Sequence, residues 1–562
     1  MTRRLALGLA AATLLLAGCA AVPDSGTVQK GDEIAQSGDA SVSFSPAGPA
    51  AGASPDDIVL GFIQAQTSAE DDFAIAREFL ADSVKTSWDP TAAVAISSGT
   101  ASLEQVEGDS SARLYSFSQT ARVDSSGQYT DDGTTTQASR GFELVQQDGE
   151  WRIDQLDDGI VLASDVFASV FSQYELYFYD PDYRYLVPDV RWYPVSTLTG
   201  SRIVEGLLAG PGDLLAQATA TAFPQGAKLA STVSVESGTA TVDFEDAGSG
   251  AQSIDDLSLE ARALMRDQIT ASLSSYTSVF SVVLTVGGVE LDVPSVASTA
   301  VLDPDVGTLP LVVDDDGLVL AGTSATSIDG VTDAASGLSD ITGGAYAIDS
   351  GTAAVLASGG VYRLEGGRAT LLDSRSGLIA PSLDQYGYIW TVGASGAVRA
   401  IGSDGAVTEM PATLVPSGCS VVSLDVSRDG TRLLLYLSAT DGSGAELFVV
   451  GIARSSEGRI PTTTRSIELP VAGGTPIDAA WVDDHTVATI SGGDTAVVTS
   501  YTVGGIAERI GTVDGARTIV GGSTGVDGIR VLTTEGAVVA ERSITFQDTG
   551  VSATALLTQQ PG

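Results

Sequence analysis

The stretch Ser427-Arg428-Asp429-Gly430-Thr431-Arg432 runs straight into Leu433-Leu434-Leu435-Tyr436, a tight polar turn followed by an apolar strand. In such a turn the aspartate accepts from nearby backbone N–H groups, and the glycine takes the positive φ that completes the corner. Related signals recur at Asp314-Asp315-Asp316-Gly317, Asp349-Ser350-Gly351, Asp384-Gln385-Tyr386-Gly387, Asp483-Asp484-His485 and Asp527-Gly528. Their spacing averages about 42 residues, within the roughly 40 to 50 residues of a four-stranded propeller blade. No long helical period interrupts residues 301–562, so this region is predicted to be an all-β propeller of five or six blades.

Working towards the N-terminus, residues 169–300 mix strands and helices and are predicted to form one α/β domain. The aromatic strand Tyr174 to Tyr179 is followed by Leu186 to Trp192, then by a helix carrying Ile203, Val204, Leu207 and Leu208 that stops at Gly210-Pro211-Gly212. Strands are expected at Lys228 to Val235, Thr239 to Phe244 and Val279 to Val286, with a helix around Leu257 to Leu273.

Residues 55–168 read as an α+β domain. Ser54-Pro55-Asp56-Asp57 supplies an N-cap, a proline at the first helical position and acids that oppose the helix dipole. Ile58, Phe62 and Ile63, then Phe73, Ala76, Phe79 and Leu80, predict two amphipathic helices. Strands follow at Arg113 to Phe117 and Gly141 to Val145, and Asp148-Gly149 turns Phe142 and Leu144 back against Trp151 and Ile153.

Residues 1–18 have the layout of an export signal: Arg3-Arg4, an apolar run from Leu5 to Leu16, then Leu16-Ala17-Gly18-Cys19. The run is short for a hydrocarbon core of about 30 Å. Its ending resembles a bacterial lipobox. That resemblance implies cleavage between Gly18 and Cys19, and a diacylglyceryl group, with palmitate among its acyl chains, on the Cys19 thiol. Two chains on one residue anchor durably, at about 0.8 kcal/mol for each buried CH₂. Residues 19–54 are rich in Ser, Gly, Ala and Pro without apolar periodicity and are expected to be a flexible tether spanning roughly 30 to 35 Å. The expected location is the extracytoplasmic face of the cell membrane, held to the lipid bilayer by this anchor.

Several local patterns carry family resemblances. Helices followed by a curled antiparallel sheet in residues 55–168 resemble the nuclear-transport-factor-like (NTF2-like) cone. Tyr177-Phe178, Leu186-Val187-Pro188, Arg191, Leu207-Leu208-Ala209-Gly210-Pro211 and Thr221-Ala222-Phe223-Pro224 resemble a GerMN domain. The turn at Ser427 resembles the TolB-type hairpin. In this order, behind a lipobox, the parts are similar to the LpqB family of actinobacterial lipoproteins. That resemblance implies a non-enzymatic accessory of a two-component system whose partner is the extracellular domain of the sensor kinase MtrB.

Composition narrows the chemistry. With 71 acidic and 28 basic side chains the formal charge is -43 and the pI near 4.1, which excludes nucleic acid as the default partner. Cys19 and Cys419 are the only thiols and His485 the only imidazole, too few for a disulfide framework or a Cys/His zinc cage. Ser382, Asp384, Gly387 and Trp390 superficially resemble a sialidase Asp box, but with an extra residue between Asp and Gly, and read as a structural turn. His485 beside Asp483 and Asp484 has the makings of an acid-base pair, but its place among the repeats reads as an exposed turn. Cys419 reads as a buried small hydrophobe. No catalytic, metal or cofactor set is assigned. The alternative is an exported glycan hydrolase with two carboxylates in the propeller channel.

Overall fold

Between Leu311 and Gln560 the strands form one eight-stranded sheet, in which Ala555–Gln560 pairs antiparallel with Leu311–Asp314 and parallel with Gly343–Ala347, and then four four-stranded antiparallel sheets; split at that parallel pair they make six four-stranded sheets, I to VI. The computed structural model describes residues 46–246, 253–276, 279–294, 299–440, 444–456, 459–471, 473–542 and 545–561. Cys19, Gly18 and the expected tether up to residue 45 lie outside the described residues. Sheet I takes Leu311–Asp314, Gly317–Ala321 and Ala325–Ser327 from its start and its innermost strand, Ala555–Gln560, from the far end of the chain. Leu311 lies opposite Leu557 in that closure. The inner strands of sheets II to VI are Gly343–Ala347, Ser382–Leu383, Cys419–Val426, Pro476–Trp481 and Ala516–Gly522. Each neighbours the next, and Ala516–Gly522 returns to Ala555–Gln560, so the ring is closed and propeller-like with six blades.

Period-two alternation places the apolar side chains between blades. In the strand Arg432–Ala439, Leu433, Leu435 and Leu437 pack with Trp390 and Val392 of blade III. Leu434 and Tyr436, pointing the other way, pack with Trp481, Val487 and Tyr501 of blade V. Strands buried on both faces read as continuous apolar runs, as Leu433 to Leu437 does.

The middle domain pairs Phe171–Tyr179 with Tyr185–Pro194, and Val301–Leu302 joins as a parallel third strand against Tyr185 and Leu186. Helices Thr199–Ala209 and Leu259–Ser274 bring Ile203, Leu207, Met265 and Ile269 against Phe178, Val242 and Phe244. All ten residues of Tyr185–Pro194 are buried. Trp192 Nε1 donates to the Gly504 carbonyl of blade V at 3.0 Å, so the hairpin is packed against the propeller-like domain. The strand expected at Lys228 to Val235 is confined to Ser234–Glu236. Ala230 N still donates to Asp243 O at 2.8 Å, but Val233 N leaves the ladder for Ser201 Oγ at 2.9 Å.

In the N-terminal domain, Ser54 caps the helix Pro55–Ala65 reciprocally: Ser54 Oγ accepts from Asp57 N at 3.2 Å, and Asp57 Oδ2 accepts from Ser54 N at 3.1 Å. The second helix is only Ala74–Arg77, because Asp71, Asp72 and Phe73 before it all have positive φ. A five-stranded sheet runs in the order Glu150–Gln155, Tyr129–Gln147, Ala112–Asp124, Ala93–Gln105, Ile160–Ala163. Phe62, Trp88, Phe142 and Ile153 form its core, which extends to Phe171 and Trp192 of the middle domain. The described residues form one unit.

Candidate binding site

The inner strands surround an axial channel whose two ends differ. At the end where those strands finish, Arg428, 4% exposed, donates through Nη2 to Val482 O and Gly522 O, both at 2.6 Å. Gln560 Nε2 donates to Val426 O at 2.8 Å. One guanidinium and one amide thus tie the ends of four inner strands together and close the channel. Over this end lies the turn of the middle domain's hairpin: Tyr386 Oη donates to Asp180 Oδ2 at 2.8 Å, and Arg459 forms an ion pair with Asp182.

The turns at this end are tied by aspartates. Asp429 Oδ1 accepts from Ser427 Oγ at 2.9 Å and Thr431 N at 2.8 Å, and its carboxylate pairs with the fully buried Arg432. Gly430, at φ 73, makes the corner. Asp384 Oδ1 accepts from Tyr386 N and Tyr388 N, each at 3.0 Å, while Oδ2 accepts from Trp390 Nε1 and Arg454 Nη2, each at 2.8 Å. Of the residues resembling an Asp box, Asp384, Gly387 and Trp390 are therefore engaged in holding a turn, while Ser382 Oγ donates to Asp425 at 2.9 Å.

His485 differs from its expected place in an exposed turn. Its side chain is 25% exposed, and Nδ1 lies 2.5 Å from Asp484 Oδ1. It is packed beneath the middle domain, close enough to Glu175 to feel its charge. Burial opposes its charge, but the Asp484 hydrogen bond and the fields of Asp483, Asp484 and Glu175 prevail and raise its pKa to about 9. Ligand atoms of Asp483, Asp484 and His485 lie within 4.8 Å of one another. Asp483 Oδ1 already accepts from His485 N at 3.0 Å and Thr486 N at 2.6 Å, so the cluster is accounted for as a hydrogen-bonded turn. Nearby Asp303 is raised to about 6 by burial and by Asp484, against the pull of Arg428.

The opposite end opens into a cavity of about 190 Å³ lined by residues of all six inner strands or the segments leading into them. Two carboxyls stand in its wall. Asp425 accepts from Ser382 Oγ at 2.9 Å, Trp481 N at 3.1 Å and Val426 N at 3.1 Å, so both its oxygens are engaged. Burial raises it to about 6 against these bonds. Asp478 accepts from Ile519 N at 2.9 Å and is raised to about 7, by burial first, with Asp425 adding to the shift. Neither carboxyl is in an ion pair among the described residues.

Asp425 and Asp478 have no place in the sequence reading, which takes Arg428 only as part of a turn. The signal available was an aspartate inside an apolar strand, as in Ser423-Leu424-Asp425-Val426 and Pro476-Ile477-Asp478-Ala479-Ala480-Trp481. Cys419 is not the buried hydrophobe expected: it is half-buried at the start of its strand, with Sγ 3.8 Å from Glu446 Oε2. Among the described residues no helix is long and apolar enough to cross a membrane.

Comparison with known proteins matches residues 48–168 to the N-terminal domain of lipoprotein LpqB, 175–292 to the sporulation and spore germination domain, and 316–541 to the LpqB beta-propeller domain. Lipoprotein LpqB of Cutibacterium acnes is 32% identical over 53% of this chain and 49% of its own length, and that of Thermobifida fusca 30% identical over 52% and 47%. These two matches thus span about half the length of the relatives. Lipoprotein LpqB of Bifidobacterium longum is 25% identical over 81% of this chain and 80% of its own. Two solved structures are distant likenesses. The tandem GerMN domains of GerM from Bacillus subtilis share 19% identity at a TM-score of 0.19, covering 34% of this chain and 59% of that one. A chain of the nidogen/laminin complex shares 12% identity at 0.32, covering 45% and 96%. With two domains matching models that bear the LpqB name on either side of a germination-type domain, and relatives named lipoprotein LpqB, the chain belongs to the LpqB lipoprotein family.

Proposed function

We propose that the protein is a membrane-anchored, extracytoplasmic accessory of a two-component system that binds the extracellular domain of an MtrB-like sensor kinase. The observation that carries this reading is the asymmetry of the channel. The middle domain and Arg428 occupy one end, while the other presents an open, polar mouth suited to a protruding segment of a second protein.

In this reading Cys19 is the lipidated N-terminus, released by cleavage after Gly18. A tether of roughly 30 Å reach then raises the effective concentration of the folded body near other membrane ectodomains, so modest contacts suffice. The N-terminal domain, read as an NTF2-like cone, acts as the spacer between tether and middle domain. The negative charge favours a partner with a basic surface and speeds encounter at low salt.

The second reading, a glycan hydrolase, calls for two free carboxyls flanking a bond. Asp425 has both oxygens engaged, which leaves Asp478 without a partner for that chemistry. The test is cellular: Cys19→Ser should move the protein from the membrane to the soluble fraction and change kinase phosphorylation in the same cells. An unchanged distribution counts against the anchor. Unchanged phosphorylation in cells lacking the protein counts against the kinase role.

A further inference from the structure

We infer that the open mouth of the axial channel is a recognition pocket for a single cationic side chain, arginine or lysine, carried by a partner polypeptide, with Asp478 as its counter-ion. The cavity of about 190 Å³ has room for several waters at roughly 30 Å³ each, and hence for one long side chain. Asp478 is set in its wall with Oδ2 held by Ile519 N at 2.9 Å, which fixes the carboxyl in place. No arginine or lysine pairs with it among the described residues.

A carboxyl kept inside a strand without a cation is costly when ionised, and such groups concentrate where a ligand supplies the missing charge. Its charged and titratable neighbours are few. Asp425 on the inner strand of blade IV adds negative potential, and the Tyr436 hydroxyl lies behind the wall. Arg517 on the blade VI strand stands exposed in the lining with its guanidinium turned to the Thr554 carbonyl. Thr518 and Thr558, also in the lining, offer the polar surroundings that the remaining N–H groups of a guanidinium require, while the buried Ser423 hydroxyl is already engaged by the Ala479 carbonyl at 2.7 Å and by Asp478. A buried charge that finds its partner only on binding contributes specificity as well as affinity.

The inference rests on the proposed function only for the bearer of the cation. The pocket chemistry is tested without the kinase. Titrate the full folded chain with the peptide acetyl-Gly-Arg-Gly-amide and its citrulline isostere, by calorimetry and saturation-transfer NMR, at pH 6 and pH 8. The arginine peptide should bind at least tenfold more tightly than the citrulline peptide, and more tightly at pH 8, where Asp478 is ionised, than at pH 6. Asp478→Asn, checked for cooperative unfolding, should lose both preferences, and Arg517→Glu at the rim should tighten binding of the arginine peptide. Absence of binding, equal binding of the two peptides, or a preference that survives in Asp478→Asn would overturn the inference. Kinase-ectodomain binding that persists alongside any of these results would remove the pocket and leave the proposed function standing.

Discussion

Tyr386 donates its hydroxyl to Asp180 at 2.8 Å across 206 residues of sequence, joining a blade III turn to the hairpin turn of the middle domain. Asp180 also accepts from Arg184 N and Tyr185 N at 2.6 and 2.7 Å, so the carboxylate organises its own turn while gripping the next domain. Burial nevertheless pushes its pKa up. Tyr386→Phe removes one donor from a buried acceptor and should destabilise the chain by about 1 to 3 kcal/mol. Urea unfolding followed by tryptophan fluorescence measures this, and an unchanged midpoint would show that the contact contributes nothing.

Arg428 gives a stronger expectation. Arg428→Met should cost at least about 3 kcal/mol, from two hydrogen bonds with a charged donor at roughly 1.5 kcal/mol each. It should also raise the pKa of Asp303, whose upward shift Arg428 now opposes. Thermal unfolding and carboxyl-resolved NMR titration read the two effects separately.

The carboxyls of the channel make stability depend on pH in a defined sense. Asp425 and Asp478 titrate near 6 and 7 in the folded protein against a usual value of 3.8. Between pH 4 and 7 the native state therefore holds protons that the unfolded chain releases, so their contribution is present at low pH and is lost as pH rises. Asp478→Asn should flatten the stability profile over this interval. Denaturant titrations at unit pH steps measure it, and a slope identical to that of the parent chain would contradict the assignment.

His485 acts at higher pH. Its pKa of about 9, above the usual 6.5, means that the charged imidazole adds stability that is full below pH 6.5 and lost as pH rises through 9. His485→Gln should remove that dependence. Because Asp483 and Asp484 are engaged by backbone N–H groups and His485, chelator should leave the melting temperature of the parent chain unchanged. A fall of many degrees with chelator would reassign the cluster to a cation.

Much of this architecture was legible because turns and alternation are local. Asp429-Gly430 stands at the corner its residue types require, and Leu433 to Leu437 alternates between two blades as a doubly buried strand should. Ser54 and Asp57 form the reciprocal cap that their spacing announces. Ring closure was not legible, because pairing Leu311 with Leu557 is a contact between the two ends of the domain. The strand Ala93–Gln105 was hidden by Ser97-Ser98-Gly99-Thr100, whose polar run lacks apolar alternation. The channel carboxyls escaped for a related reason. Paired aspartates are common along the sequence, so the single ones in Leu424-Asp425-Val426 and Ile477-Asp478-Ala479 do not stand out, although both line the channel mouth from inside a strand.

On the proposed function, the folded body binds a kinase ectodomain through the face the middle domain leaves open. The direct measurement is equilibrium binding of soluble residues 20–562 to that ectodomain at two salt concentrations, alongside Arg517→Glu and a variant altered only in the exposed middle-domain residue Phe280, 75% exposed. Binding that is saturable, weaker at high salt, changed by Arg517→Glu and indifferent to Phe280→Ser is the predicted result. No binding at either salt, or binding lost with Phe280→Ser and untouched by Arg517→Glu, would contradict it.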